Sequence, residues 1–215
     1  MHFEVDNLYH VYNRGNNKQT IFFTEANYSY FLKKVSKYVV PNCDLLSYCL
    51  MPNHFHFLIH ANERTVSPVN HNGMLTRTML SDGIRLLLSA YAKGINVQES
   101  MVGNLFQQKT KARLVTEDPF IISPAQKTVT YAEACFHYIH QNPLKAGLVT
   151  KLEDWKHSSF RDYAGLTTES ICNKKLAKAL FDVSKENLFE RSLRMIPDFL
   201  DNDQWKDRAG RMKIA

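Results

Sequence analysis

The most regular alternation of polar and apolar residues in the chain covers residues 54–60. Its apolar members stand at every second position: Phe55, Phe57 and Ile59. Because successive side chains of a strand point to opposite faces, the pattern predicts a strand with one face in a core. His54 and His56 are then expected side by side on the other face.

Similar patterns predict the remaining elements. Alternation predicts further strands at residues 8–14, 45–51 and 103–115, and apolar spacings of three and four predict helices at 25–40, 75–95 and 130–141. The order strand, helix, strand, strand, helix, strand, helix favours an α+β fold, a ferredoxin-like antiparallel sheet with helices packed on it. Residues 62–73 are predicted to form a loop.

The third predicted helix has clear signals at both ends. Thr130 is a candidate N-cap, with Glu133 completing a capping box three residues later. Asn142-Pro143 is predicted to end the helix, since proline disfavours helical geometry in the residue before it. Beyond residue 165 the pattern changes to short helices at 174–182 and 186–195 and a charged tail. We therefore predict a domain at 1–165 and a helical extension at 166–215.

Composition narrows the class of protein. The chain has 215 residues, of which 44% are hydrophobic, enough for a packed core. No apolar run approaches the roughly 18 residues of a membrane span, and the first residues lack the pattern of a secretion signal, so the expected location is the cytoplasm. The four cysteines lack paired spacing and are expected to be reduced packing residues: Cys43, Cys49, Cys135 and Cys172.

A formal net charge of +6 suits a polyanionic partner without requiring one. In the strand predicted at 103–115, three cations share one face: Lys109, Lys111 and Arg113. Such a stripe is either a solvated edge that guards against aggregation or a surface that follows a sugar-phosphate backbone. We favour DNA contact, and we add Arg14 and Arg161 as further candidates.

The paired histidines allow two interpretations. Two imidazoles on one strand face form a metal clamp, but such a pair is also often just the solvent side of a sheet. The helix at 130–141 adds Tyr138, and a residue four positions later, Asn142, is expected beside it on the same helix face. Pro143 could displace the Asn142 amide from this face, in which case His140 or Gln141 could take its place as the third polar ligand.

Three ordered motifs resemble those of the REP-associated tyrosine transposases, members of the HUH superfamily of single-strand DNA transposases and nucleases. The motifs are His54-Phe55-His56, the segment from Tyr138 to Val149 beginning Tyr-Ile-His-Gln-Asn-Pro, and the opening Tyr9-His10-Val11-Tyr12-Asn13-Arg14-Gly15. The resemblance covers roughly residues 8–163, including a stretch from Asp154 to Tyr163 that follows the tyrosine motif in such proteins.

This resemblance implies a function and a site. Tyr138 would be the nucleophile, and His54, His56 and Asn142 would hold a divalent metal, for which an amide oxygen with two imidazoles suits Mg²⁺ or Mn²⁺ better than a closed zinc site. The activity would be transposition and recombination of single-stranded or hairpin DNA through a 5′-phosphotyrosine. Such a protein could act as a monomer or a homodimer.

Two other functions remain open on the sequence alone. A tyrosine among apolar neighbours such as Cys135, Phe136 and Ile139 is usually a core residue, so the fold could serve a non-catalytic regulator that binds hairpin nucleic acid. Alternatively, a metal-activated water could hydrolyse DNA without a covalent link. His10, His137 and His157 are expected to be structural or DNA-contacting residues.

Overall fold

The computed structural model describes residues 1–71, 74–116, 119–120, 129–181 and 183–194. The strands are β1 (Leu8–Arg14), β2 (Asp44–Met51), β3 (His54–His60), β4 (Pro68–His71), β5 (Met74–Thr78), β6 (Lys111–Leu114), β7 (Pro119–Phe120) and β8 (Val129–Thr130). The α-helices are α1 (Glu25–Tyr38), α2 (Glu63–Val66), α3 (Met79–Gln98), α4 (Tyr131–Lys145), α5 (Phe160–Tyr163), α6 (Lys174–Leu180) and α7 (Lys185–Arg194). Short 3₁₀ helices cover Asn16–Lys18, Val40–Asn42 and Leu152–Asp154.

The centre of the fold is a four-stranded antiparallel sheet with the strand order β2-β3-β1-β6. Along the chain its elements follow as β1, α1, β2, β3, α3 and β6, which is the ferredoxin-like connectivity. The hairpins β4–β5 and β7–β8 form two small separate sheets. The predicted α+β fold and its ferredoxin-like sheet are confirmed.

Helices α1 and α3 cover one face of the sheet. That face supplies the alternate apolar residues of β3, and all three are almost fully buried: Phe55, Phe57 and Ile59. The two helices approach closely at Gly83, where a Cβ would overlap the carbonyl oxygen of Tyr38. Glycine is therefore kept inside α3, despite its low helix propensity, because the helix pair has no room for a side chain.

Helix α4 covers the opposite face, packing on β2 and β3. The core on this side includes Leu46, Leu58 and Phe136, all fully buried. The C-terminal helices contribute to the same core, with Ala177 from α6 and Leu188 from α7. The boundary at residue 165 remains a prediction, but residues beyond it complete this layer.

The start of α4 agrees with the prediction and its end does not. The Thr130 hydroxyl accepts a hydrogen bond from the Glu133 backbone N–H at 3.1 Å, as expected of an N-cap. The helix then continues through Pro143 to Lys145. Proline removes one backbone N–H donor from the helix. The Asn142 side-chain amide supplies a donor in its place, to the carbonyl oxygens of Tyr138 and Ile139. The expectation that the helix stops at residue 142 was therefore wrong.

Three other expected elements were also wrong in part. The helix predicted at 75–95 begins only at Met79, because the preceding residues form β5. The predicted loop at 62–73 contains α2, capped by the Asn62 side chain, and the strand β4. The predicted strand at 103–115 is reduced to β6, whose approach includes Gly103 with a left-handed φ of 93°. The two short C-terminal helices are present as α6 and α7, whereas residues 182 and 195 and the predicted charged tail lie outside the described residues.

All four cysteines are free and buried, as expected of reduced packing residues. Over the ranges that the structure describes, none of the helices combines the length and apolar character needed to cross a membrane.

Candidate active site

The face of the sheet beneath α4 brings together polar residues from three strands. In the antiparallel register, His54 lies opposite Arg14 and His56 lies opposite Tyr12. Directly opposed residues of an antiparallel pair project from the same face, so β1 and β3 present their polar side chains together. The histidine pair predicted from alternation lies on this face, with the two rings 4.9 Å apart and nearly perpendicular.

The orientation of His54 is fixed by the residue before it. The Asn53 side chain donates from Nδ2 to the carbonyl oxygen of Lys18 at 3.2 Å, so its Oδ1 faces His54. His54 Nδ1 lies 2.6 Å from that oxygen and must be the donor. Burial, with a smaller contribution from Arg14, lowers the pKa of His54 to about 4, which keeps the ring neutral at neutral pH.

His56 is held by a second histidine. Its Nδ1 lies 2.8 Å from Nε2 of His10, which stands diagonally across from it on β1. Burial, followed by the charges of His54, His10 and Arg14, holds the pKa of His56 well below its usual value. Burial, and then Arg113, lowers the pKa of His10 to about 3. Both rings are therefore neutral near pH 7.

Tyr138 reaches this histidine cluster from α4. Its ring centroid lies 5.9 Å from that of His56 and 6.2 Å from that of His10, edge-on to both. The side chain is 6% exposed, at the boundary between the core of this face and the polar residues of the sheet. Lys145, two turns further along α4, places its Nζ 5.3 Å from the Tyr138 ring centroid. The structure thus brings together the tyrosine and the histidine pair that the sequence singled out.

Helix α4 is oriented by hydrogen bonds on its other sides. His140 Nε2 lies 2.8 Å from the hydroxyl of Ser159, which in turn accepts from the backbone N–H of Tyr48 on β2. Gln141 donates from its amide to the carbonyl of Ser192 on α7. These bonds direct the His140 side chain toward Ser159 and the Gln141 side chain toward α7 rather than toward the histidine pair, so the alternative that either residue replaces Asn142 as a ligand is not supported.

Asn142 is 8% exposed and lies one turn after Tyr138. Both of its side-chain hydrogen bonds in the described part of the protein use Nδ2 as the donor, to carbonyls of its own helix. The amide oxygen is consequently the atom with ligand chemistry, as the prediction of Asn142 as a metal ligand requires.

Some polar atoms of these side chains are not used in the hydrogen bonds described above. His56 Nε2 is buried and has no hydrogen-bond partner within the described residues, a state that it shares there with His137 Nε2 and His140 Nδ1. In the same ranges no group of three or more His, Cys, Asp or Glu side chains is arranged to hold an ion. By their chemistry, two imidazole nitrogens and an amide oxygen would suit a hard cation in an open site.

The predicted DNA-contacting residues divide into two groups. Lys111 and Arg113 lie opposite Tyr12 and His10 in the register of β6 with β1, and therefore on the face of the histidine pair, which Arg14 also shares. Lys109 precedes the strand and is exposed on the loop that leads into it, so the expectation of three cations on one strand was wrong.

Arg161 lies apart from this group. It belongs to α5 and donates to the carbonyl of Glu153 at 2.7 Å.

The other two histidines singled out in the sequence have structural partners: His137 bonds the hydroxyl of Ser192 at 2.7 Å, and His157 stacks on Tyr28 at 3.6 Å.

Sequence reasoning missed the importance of His10, Tyr12 and Lys145. His10, Tyr12 and Arg14 occupy every second position of β1, and this spacing alone would have placed all three on one face of the strand. Tyr12 stacks on His10 at 4.8 Å and lies under the Nζ of Lys111 at 5.5 Å. Lys145 is seven residues after Tyr138, a spacing of two helical turns, but the expected helix end at Asn142 hid that relation.

The sequence matches no protein-family model and no curated protein. The fold does match a solved structure described as a REP-associated tyrosine transposase bound to a REP hairpin, with a TM-score of 0.53 and 14% identity. The match covers 80% of this chain and 87% of the other. The two proteins share a fold.

Proposed function

We propose that this protein is a metal-dependent endonuclease and strand transferase that nicks and joins single-stranded, hairpin-associated DNA through a 5′-phosphotyrosine. The observation that carries the proposal is the packing of the Tyr138 ring against His56 and His10, about 6 Å from each. Residues more than 80 positions apart in the sequence thus converge on one small polar area, where a phosphate could meet both a nucleophile and metal ligands.

The chemical roles follow from the side chains. Tyr138 would lose its phenolic proton and attack the scissile phosphorus; the bond from phosphorus to O3′ breaks, and O3′ takes up a proton. A divalent cation bound by His54, His56 and Asn142 would neutralise charge on the phosphate and orient it. Because the phosphotyrosine keeps the energy of the broken bond, a 3′-hydroxyl of another strand can reverse the step and join DNA.

The surrounding residues support binding of a polyanion. Arg14, Lys111 and Arg113 share the sheet face of the histidine pair and would contact phosphates on either side of the scissile one. Tyr12, half-buried on the same face, offers an aromatic surface for an unpaired base. The fold shared with a transposase that binds a REP hairpin adds independent support for hairpin DNA as the substrate class.

Covalent trapping tests the proposal directly. Purified protein is incubated with end-labelled single-stranded hairpins of varied stem and flank and with Mg²⁺ or Mn²⁺, and the products are separated under denaturing conditions. We expect a protein-linked DNA species from the wild type and none from Tyr138→Phe. Tyr131→Phe is the matched control, because it removes a hydroxyl from another buried tyrosine of α4, and it should still form the adduct.

Other outcomes would identify a different function. An adduct that persists in Tyr138→Phe would place the nucleophile elsewhere. Cleaved DNA with free ends and no protein-linked species would indicate attack by water. Tight hairpin binding without cleavage, unchanged in Tyr138→Phe and His56→Ala, would indicate a regulator that only binds nucleic acid.

A further inference from the structure

The hydrogen bond between two histidines on the candidate site face has a functional consequence. His10 Nε2 and His56 Nδ1 are 2.8 Å apart, and one of the two nitrogens must carry the proton between them. Each neutral imidazole has one N–H and one lone pair, so the choice made at this bond also decides which form the far nitrogen of His56 takes.

The two possible arrangements differ at His56 Nε2. If His10 donates, then His56 carries its proton on Nε2; if His56 donates, then His10 carries its own proton on Nδ1, which is also buried. Each arrangement therefore leaves one buried N–H, and what separates the two is that an N–H at His56 Nε2 cannot bind a cation. If His56 donates to His10, then Nε2 has its lone pair, which is the form that a metal ligand requires.

The neighbouring ligand shows the same arrangement. His54 donates from Nδ1 to Asn53 Oδ1, whose orientation is set by the bond from Asn53 Nδ2 to Lys18. His54 therefore also has its lone pair on Nε2. With His56 in the second arrangement, both histidines offer the same nitrogen, each held by a neighbour through Nδ1.

We propose that His10 is a positioning residue of the metal site: it accepts the hydrogen bond from His56 Nδ1 and thereby holds His56 in the tautomer whose Nε2 can bind the cation. The inference rests on the proposed function, because it assigns His10 a role toward the metal that His56 would bind. The stacking of His10 on Tyr12, with ring centroids 4.8 Å apart, and its edge contact with Tyr138 fix the ring in the orientation that this bond needs.

The tautomer can be measured without metal. A long-range ¹H–¹⁵N correlation spectrum of ¹⁵N-labelled wild-type protein distinguishes protonated from unprotonated imidazole nitrogens, and His56→Gln identifies the signals of His56. We expect His56 protonated at Nδ1 and unprotonated at Nε2 near pH 7. A spectrum with the proton on Nε2 would overturn the proposal, and the tautomer itself is measured on the wild-type protein, with the variant used only for assignment.

Metal affinity tests the consequence. Mn²⁺ binding is measured by calorimetry for the wild type, His10→Phe and His10→Gln, with thermal unfolding as the check on folding. His10→Phe keeps an aromatic ring but no acceptor, and it should weaken Mn²⁺ binding by about 10- to 100-fold, as loss of such supporting partners does. His10→Gln provides a carbonyl oxygen as acceptor and should recover most of that affinity.

His137→Phe is the matched control, because it removes a different fully buried histidine whose partner is Ser192 on α7. It should leave Mn²⁺ affinity unchanged. If wild type and His10→Phe bind Mn²⁺ equally well while His56→Gln does not bind it, the role of His10 is overturned and the metal site stands. If the wild type shows no binding that depends on His56, the proposed metal-dependent function fails, and the role of His10 fails with it.

Discussion

The two faces of the central sheet are built from the same strands but differ in chemistry. On the side of α1 and α3, β3 contributes Phe55, Phe57 and Ile59 to an aromatic and aliphatic core. On the side of α4, the alternate residues of the same strand include His54 and His56, with buried polar neighbours. One face can therefore supply stability while the other carries polar atoms that an apolar core would exclude.

The comparison is sharpest between adjacent residues of β3. Phe57 is fully buried against α1, and Phe57→Ala should lower the free energy of unfolding by about 3–5 kcal/mol, because it leaves a large cavity. His56→Phe keeps a ring in place and should cost less, about 1–3 kcal/mol, mainly through the lost partner of His10. Urea denaturation measures both. A larger loss for His56→Phe would assign most of the stability to the α4 face.

Acid should act mainly on the α4 face, because most of the histidines whose pKa is lowered by burial lie there; His157, which stacks on Tyr28 of α1, is the exception. Burial, with a smaller effect of Arg191, lowers the pKa of His137 to about 3, and burial also lowers that of His54 to about 4. Between pH 6.5 and these values the unfolded chain binds protons that the folded protein excludes, so stability rises with pH through this window and is lost as pH falls. Each such histidine contributes about 1.4 kcal/mol per pH unit.

Denaturation at several pH values between 4.5 and 7 measures this slope. We expect His137→Phe to reduce it by about 1.4 kcal/mol per pH unit. Phe31→Leu, on the opposite face, should lower stability by a similar amount at every pH and leave the slope as it is. An unchanged slope in His137→Phe would contradict the assignment of acid sensitivity to this histidine.

Substitution of cations on the sheet face that carries His54 and His56 should weaken DNA binding more than substitution of cations elsewhere. Arg113→Gln and Lys111→Gln are each expected to weaken binding of a single-stranded hairpin several-fold. Each should also reduce the slope of log affinity against log salt concentration by about 0.7–0.9, the value for one lost phosphate contact. Fluorescence anisotropy at 50–300 mM salt gives both quantities. Unchanged slopes would mean that the DNA lies on another surface.

The smallest effect is expected for Arg161→Gln. Its guanidinium already donates to the Glu153 carbonyl. Arg161 belongs to α5 and not to the strands that carry the histidine pair. Loss of that bond should cost about 1 kcal/mol of stability and leave the salt dependence of DNA binding as in the wild type. A salt slope reduced as much as in Arg113→Gln would restore Arg161 to the predicted DNA-contacting set.

The parts of this comparison that follow from local pattern were predictable from the sequence. Period-two alternation is sufficient to put His54 and His56 opposite Phe55 and Phe57, since it depends only on strand geometry. The cap at Thr130 likewise depends on residues within one helical turn.

What the sequence could not supply depends on contacts between distant segments. The bond from His10 to His56 is diagonal across two strands, so it exists only in one register of β1 with β3. The passage of α4 through Pro143 depends on the Asn142 amide and on packing of the helix against β2, which outweigh the local preference to stop. The metal, the nucleophile and the DNA contacts remain predictions that the experiments above address.

Helix α7, in the segment that follows residue 165, is bonded to α4. Glu133 pairs with Arg191, His137 with Ser192, and Gln141 with the Ser192 carbonyl, so successive turns along one side of α4 are each anchored to α7. If two copies of the protein were to swap α4, each α4 would have to release α7, which breaks three polar contacts among buried and half-buried side chains, or carry α7 across with it. The cost of that exchange favours an α4 that stays with the sheet of its own subunit.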